Sequence, residues 1–280
     1  MSSLSNLMNC KLSLSQLLSG TAVVLISSAG AATTVTYDFS SQASGDLFES
    51  DVVGWSQDTP NPSAFGTTLP FAYIASTNFG GGATNTGHLG TQFANTDDNS
   101  TTTVTGNLDF TGVDEALPQV SLNLAILDND LDQFTGRDGF RVAINSTTGS
   151  TLAELGFTPT AGDVSSWDVS VGVNGAPTST TAITVTSSAG YIFKVNFGSA
   201  VTTFLYGDSQ GGLADVQFAS QAPIGTSNMG AIAMTHLPLA PVGESATTLV
   251  FDNIVASIPE PSGPALLLLG SAFLFGRRRS

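Results

Sequence analysis

In Gln119-Val120-Ser121-Leu122-Asn123-Leu124-Ala125-Ile126-Leu127, the apolar residues Val120, Leu122, Leu124 and Ile126 fall on one side, and Ser121 and Asn123 on the other. A period of two is the repeat of a β-strand with one face buried. Tyr191-Ile192-Phe193-Lys194-Val195-Asn196-Phe197 repeats it, with Tyr191, Phe193, Val195 and Phe197 opposed to Lys194 and Asn196. Outward from these two segments, short apolar runs recur between clusters of Gly, Asn, Asp, Ser and Thr. They span Val35 to Phe39, Phe71 to Ala75, Thr101 to Phe110, Gly139 to Asn145, Trp167 to Val173 and Ala182 to Thr186. Thr202 to Tyr206, Leu213 to Phe218, Met229 to Met234 and Thr247 to Ala256 complete the series. About a dozen strands spaced by turn signals predict an all-β fold, an antiparallel jelly-roll-like β-sandwich. No helical period interrupts them, and no repeat of fixed length supports a β-helix. Asn78 to Gly87 and Asp208 to Gly212 read as loops.

The composition is consistent with a packed body. Of 280 residues, 41% are hydrophobic and only 10% charged, against about 25% charged in ordinary soluble domains. Acidic residues outnumber basic ones 22 to 7. Lys11, Arg277, Arg278 and Arg279 lie near the termini, which leaves Arg137, Arg141 and Lys194 for the middle. Every acidic residue except Glu260 lies between Asp38 and Asp252. Such a surface repels nucleic acid, which is held by clustered Lys and Arg; it suits divalent cations or plain solubility. Cys10 is the single cysteine, so the body has no disulfide.

Both ends carry address signals. Lys11, the apolar run Thr21 to Ile26 and the small residues Ser27 to Ala32 have the layout of a secretory signal peptide over 1–32, with a cut near Ala31 or Ala32. At the other end, 258–280 reads as a proline turn, an apolar run Ala265 to Gly276 and the basic stop Arg277-Arg278-Arg279. A span over 264–276 is short of the roughly 20 residues that cross a bilayer, and its arginines belong on the cytoplasmic side. Between the two signals, 33–257 forms one domain.

The C-terminal arrangement resembles the PEP-CTERM sorting signal of Gram-negative bacteria. Pro259, Glu260 and Pro261 match its motif, Ala265 to Gly276 its membrane segment, and Arg277, Arg278 and Arg279 its basic cluster. The resemblance implies an exosortase-like processing enzyme as partner, transient residence in the inner membrane, and a final place at the cell surface, the outer membrane or an exopolysaccharide matrix. The body resembles concanavalin-like and carbohydrate-binding-module sandwiches. Asp252-Asn253-Ile254 looks like their closing strand, whose acidic residue often helps hold a structural calcium. That resemblance also implies glycans as an alternative ligand class.

Candidate sites are few. Asp128, Asp130, Asp132 and Asp138 lie in one loop and offer carboxylate oxygens of the kind calcium takes. The spacing starts like an EF-hand but has Gln133 and Gly139 where that loop has Gly and Glu. A solvated turn in which Asp side chains cap their own amides is the other reading. Asp252, with Asp38 as co-ligand if the first and last strands pair, is a second calcium candidate. Trp55 is the first choice for a ligand platform, and Trp167 reads as core. His88 in a Gly-rich stretch reads as exposed and His236 as a turn residue, with no zinc-binding spacing between them. No nucleophile elbow occurs, and the expectation is a protein that is not an enzyme. A surface or matrix component leads; a glycan-binding module and a polysaccharide hydrolase or lyase follow.

Overall fold

The computed structural model describes residues 34–48, 50–58, 72–77, 84–90, 101–110, 118–128, 136–177, 183–209, 215–224, 228–239 and 247–258. The signal peptide, Pro259 to Pro261, the span 264–276 and Arg277 to Arg279 lie outside them. Among the described residues every regular element is a strand, and no helix is long and apolar enough to cross a membrane. The first eight strands are β1 (Thr34–Tyr37), β2 (Trp55–Gln57), β3 (Ala72–Thr77), β4 (Thr84–Gly90), β5 (Thr102–Asn107), β6 (Gln119–Asp128), β7 (Gly139–Ser146) and β8 (Thr151–Pro159). The rest are β9 (Ser166–Val173), β10 (Ala176–Pro177), β11 (Ile183–Thr186), β12 (Tyr191–Phe197), β13 (Thr202–Asp208), β14 (Val216–Gln221), β15 (Met229–Leu237) and β16 (Thr247–Ser257).

The strands form two eight-stranded antiparallel sheets. The first runs β14-β13-β12-β6-β16-β4-β3, with β1 also on β16; the second runs β10-β9-β8-β7-β15-β5-β2, with β11 also on β9. Side chains from both sheets share one buried core, the mark of a sandwich. Phe157 of β8 meets Phe193 of β12 edge-on at 5.6 Å. Val120, Leu122, Leu124 and Ile126 are all buried, as the alternation of β6 requires.

Four strands were not expected: the short β2 and β10, and the longer β8 and β4. β8 was not among the expected segments, because Leu152 and Glu154 are buried along with Ala153, Leu155 and Phe157 and the strand shows no clean alternation. β4 begins inside the expected loop Asn78 to Gly87. Its polar, Gly-containing sequence forms a strand because the closely packed core excludes a side chain there. A Cβ on Gly87 would lie 2.5 Å from the Phe251 ring and 2.9 Å from Phe48, so only glycine lets β4 lie flat beside β16.

Candidate functional site

β16 holds one of the four non-glycine residues at positive φ among the described residues. Its first half pairs with β4 up to Phe251, and its second half pairs with β1 from Ile254. The register on β6 shifts between Asp252 and Val255, and Asn253 sits at φ 48°, a left-handed conformation that Asn tolerates better than most residues. The bulge turns Asp252 into the fork between β4 and β1. Asp252 is 2% exposed. Its Oδ2 accepts from Asn253 Nδ2 at 3.2 Å, while Oδ1 is buried with no hydrogen-bond partner. Burial pushes the carboxyl above the ordinary carboxylate range; the amides of Asn253 and Phe39 pull it back, and the negative charge of Asp38 raises it again. Asp38 directly follows β1 and accepts from the Ser40 amide at 3.0 Å and its hydroxyl at 2.5 Å. Pairing of the first and last strands therefore brings Asp38 and Asp252 together.

The remaining acidic candidates belong elsewhere. Asp128 pairs with Thr247, five positions along β16 from Asp252, or about 17 Å. Asp130 and Asp132 lie outside the described residues. Asp138 stands near Asp128's end of the sandwich, where all its polar groups are engaged. Its N–H donates to Thr247 Oγ1 (3.2 Å) and its carbonyl accepts from Trp167 Nε1 (2.9 Å). Its Oδ1 accepts from the Leu239 amide (3.0 Å), and its Oδ2 lies 2.8 Å from His236 Nε2. One aspartate thus knits the starts of β7, β9 and β16 to the end of β15. The four described candidates fall at two places, Asp38 with Asp252 and Asp128 near Asp138, and no group of three His, Cys, Asp or Glu able to hold a metal occurs among the described residues.

His236 is no turn residue: it is fully buried in β15, against Phe140 at 5.7 Å. Sequence could not pair it with Asp138, 98 positions away. His88, expected at the surface, is 1% exposed, lies 5.4 Å from the Tyr73 ring and 3.1 Å from Thr86 Oγ1. Burial lowers its pKa to about 4. Trp55 packs inward among Phe39, Phe48 and Phe251 at 5.1–5.7 Å, over Gly106, whose absent Cβ would sit 2.7 Å from the indole. Trp167 is fully buried, as expected of core.

The cations of the body are equally occupied. Arg137 stacks over Trp167 at 4.9 Å and donates to the carbonyls of Ser166, Thr160 and Asp163. Lys194 meets Asp215 at 2.5 Å, and Arg141 lies 4.0 Å from Glu154.

No protein-family model and no curated protein matches the chain. Among solved structures, the CBM2 module of the evolved Dit of Lactobacillus casei BL23 phage J-1 is similar, with TM-score 0.47 and 11% identity over 83% of this chain and 99% of that one. So are the GH131 β-glucanase catalytic domain from Podospora anserina (0.46, 11%, 75% and 87%) and the winged bean acidic lectin complexed with methyl-α-D-galactose (0.44, 9%, 80% and 98%). These likenesses assign the chain no ligand and no activity.

Proposed function

We propose that this chain is an exported surface or matrix component with a structural rather than catalytic role. A signal peptide carries it out, the tail 258–280 holds it in the inner membrane, and an exosortase-like enzyme removes the tail near Pro259-Glu260-Pro261. The observation that carries this reading is the register Thr34↔Ser257. The first strand starts just after the expected N-terminal cut and the last ends just before the motif. Among the described residues every strand lies between the two. The engagement of Asp138 with His236, Arg137 with main-chain carbonyls and Lys194 with Asp215 supports a structural role.

Within this reading, the fork is the place for calcium. Asp252 Oδ1 and the Asp38 carboxylate supply the first donors, with carbonyls and water completing the six to eight oxygens the ion takes. The ion would neutralise two repelling carboxylates and fasten β1 to β16. Glycan binding, with exopolysaccharide as ligand class, is the second reading. It is favoured by Arg141, whose exposed guanidinium stands on the second sheet between Gly156 and Thr235 and offers a planar donor fork.

Fractionation of a Gram-negative host that carries an exosortase tests the leading reading. The wild-type body is expected outside the inner membrane without its tail. A chain with Pro259, Glu260 and Pro261 all changed to Ala is expected to stay in the membrane with the tail intact. A wild-type chain found in the cytoplasm would refute export, and equal processing of both chains would refute the motif.

A further inference from the structure

The second sheet is buried on part of both its faces. On β7, Phe140, Val142 and Ile144 belong to the shared core, so Arg141, Ala143 and Asn145 project from the opposite face. On β8 the core takes Ala153, Leu155 and Phe157, which leaves Glu154 on that outer face; on β15 it takes Ile232 and Met234, which leaves Ala231 and Ala233. Ala143 pairs with Ala233 on one side and Glu154 on the other, and Asn145 pairs with Ala231. Three alanines therefore make a floor of methyl groups, and all three are buried. Arg141 and Asn145 flank Ala143 along β7, each about 7 Å away, and Glu154 flanks it across the strands at about 5 Å. Two of these polar groups are poorly served. Glu154 is 8% exposed, and the Arg141 guanidinium that pairs with it stands 4.0 Å away, beyond hydrogen-bond length. Asn145 Oδ1 is buried with no hydrogen-bond partner. Buried polar groups normally have one, and an exception calls for an explanation.

We infer that the alanine floor around Ala143 is a subsite for one neutral sugar of a polysaccharide, whose hydroxyls donate to Glu154 and Asn145 Oδ1 and accept from the Arg141 guanidinium. The inference rests on the glycan-binding reading and supplies its site and its sugar class. Two acceptors beside a planar donor fork match a compound whose hydroxyls both donate and accept. The positive charge of Arg141 beside Glu154 disfavours a cation. The excess of 22 acidic over 7 basic residues disfavours an anionic chain, which the field of the body repels. The methyl floor lets a ring lie close to the sheet, as longer side chains at the three alanines would not. The Arg141–Glu154 pair is exposed on its Arg141 side, and exposed ion pairs contribute little, so exchanging it for sugar hydroxyls costs little.

Affinity electrophoresis of the full chain in mild detergent tests this, with the neutral polysaccharides dextran, galactomannan and laminarin cast in separate native gels and acidic alginate in another. The wild type is expected to be retarded in at least one neutral gel and to run unretarded in alginate. Arg141→Ala and Glu154→Gln are each expected to weaken the retardation about tenfold, the loss of one hydrogen bond to a charged group. Asn145→Ala is expected to weaken it less, as a neutral acceptor does. Circular dichroism checks the fold of each variant. Arg141 is exposed, so Arg141→Ala carries the test by itself if Glu154→Gln does not fold. Retardation in a neutral gel that every folded variant keeps would overturn the subsite and leave the glycan reading standing. Retardation in alginate alone would overturn the neutral-sugar assignment. A wild type that runs unretarded in every gel would remove both the subsite and the glycan reading.

Discussion

Asp252→Asn separates two properties of the fork, the cost of a buried charge and the gain from a cation. Asp252 is 2% exposed, lacks a partner on Oδ1 and is repelled by Asp38. A carboxyl whose folded pKa is raised contributes stability that is complete below its unfolded value of about 3.9 and is lost as pH rises through the folded pKa. At neutral pH without cations, the ionised group therefore opposes folding. The amide keeps the shape and an acceptor oxygen and removes the charge. The gain is about 1 kcal/mol, the lower end for relieving an unsatisfied buried polar group. For a body of this length that is about 2–4 °C in melting temperature. Calcium at a hundred times its dissociation constant would add about 2.7 kcal/mol to the wild type, or about 5–10 °C, and little to the variant. Melting of the domain 33–258 by circular dichroism, in chelator and in calcium, is thus expected to invert the order of the two proteins. Towards pH 4 in chelator the gap should close as the wild type binds its proton. A wild-type melting temperature indifferent to calcium would refute the cation; a variant less stable than wild type in chelator would refute the burial argument.

Asp138→Ala leaves His236 and the Leu239 amide facing an empty position and should cost about 3–5 kcal/mol, read as a fall of about 10 °C in thermal melts; a loss under about 1 kcal/mol would mean the cluster is not a hub. His88 has a folded pKa depressed to about 4 from 6.5, so its contribution is complete above pH 6.5 and is lost as pH falls. Urea titrations should show up to about 3 kcal/mol less stability at pH 4 than at pH 7 from this group, and His88→Gln should remove that component. Trp55→Ala should cost about 3–5 kcal/mol through its packing on Gly106 and the phenylalanines; unchanged stability would return Trp55 to the surface.

The sandwich was legible because alternation is a local property. β6 and β12 each carry it within one strand, and both bury the predicted face. β4 was not legible: its strand status depends on Phe251 and Phe48 closing over Gly87, and those rings come from distant parts of the chain. The hub failed for the same reason, since Asp138 and His236 are separated by 98 residues and share no motif. The fork was half legible. Pairing of the first and last strands was expected as the condition that brings Asp38 to Asp252. The bulge left a trace, an Asp-Asn pair inside an otherwise apolar strand, because Asn is among the few residues that accept a positive φ. The packing of Trp55 was not legible, because a tryptophan beside a turn looks the same in sequence whether it faces solvent or caps a glycine on the next strand.

How the two sheets end bears on self-association. An unprotected edge strand invites pairing with another chain, and many proteins prevent it with lysines or prolines on the edge. None of the three cations in this chain's body lies on an edge strand: Arg141 is in β7, Lys194 in β12 and Arg137 just ahead of β7. Its edges are blunted by geometry instead. The outer strand β14 is bulged, its register on β13 shifting at Phe204/Leu205, so it does not present an even ladder. β3 at the far edge already receives the loop before it: the Ile74 amide donates to the Asp46 carbonyl, and the Ile74 carbonyl accepts from the Gly45 amide. In the second sheet the limits are β2 with three residues, β10 with two and β11 with four, too short to recruit a long partner. The same logic covers β1, a four-residue strand held along β16.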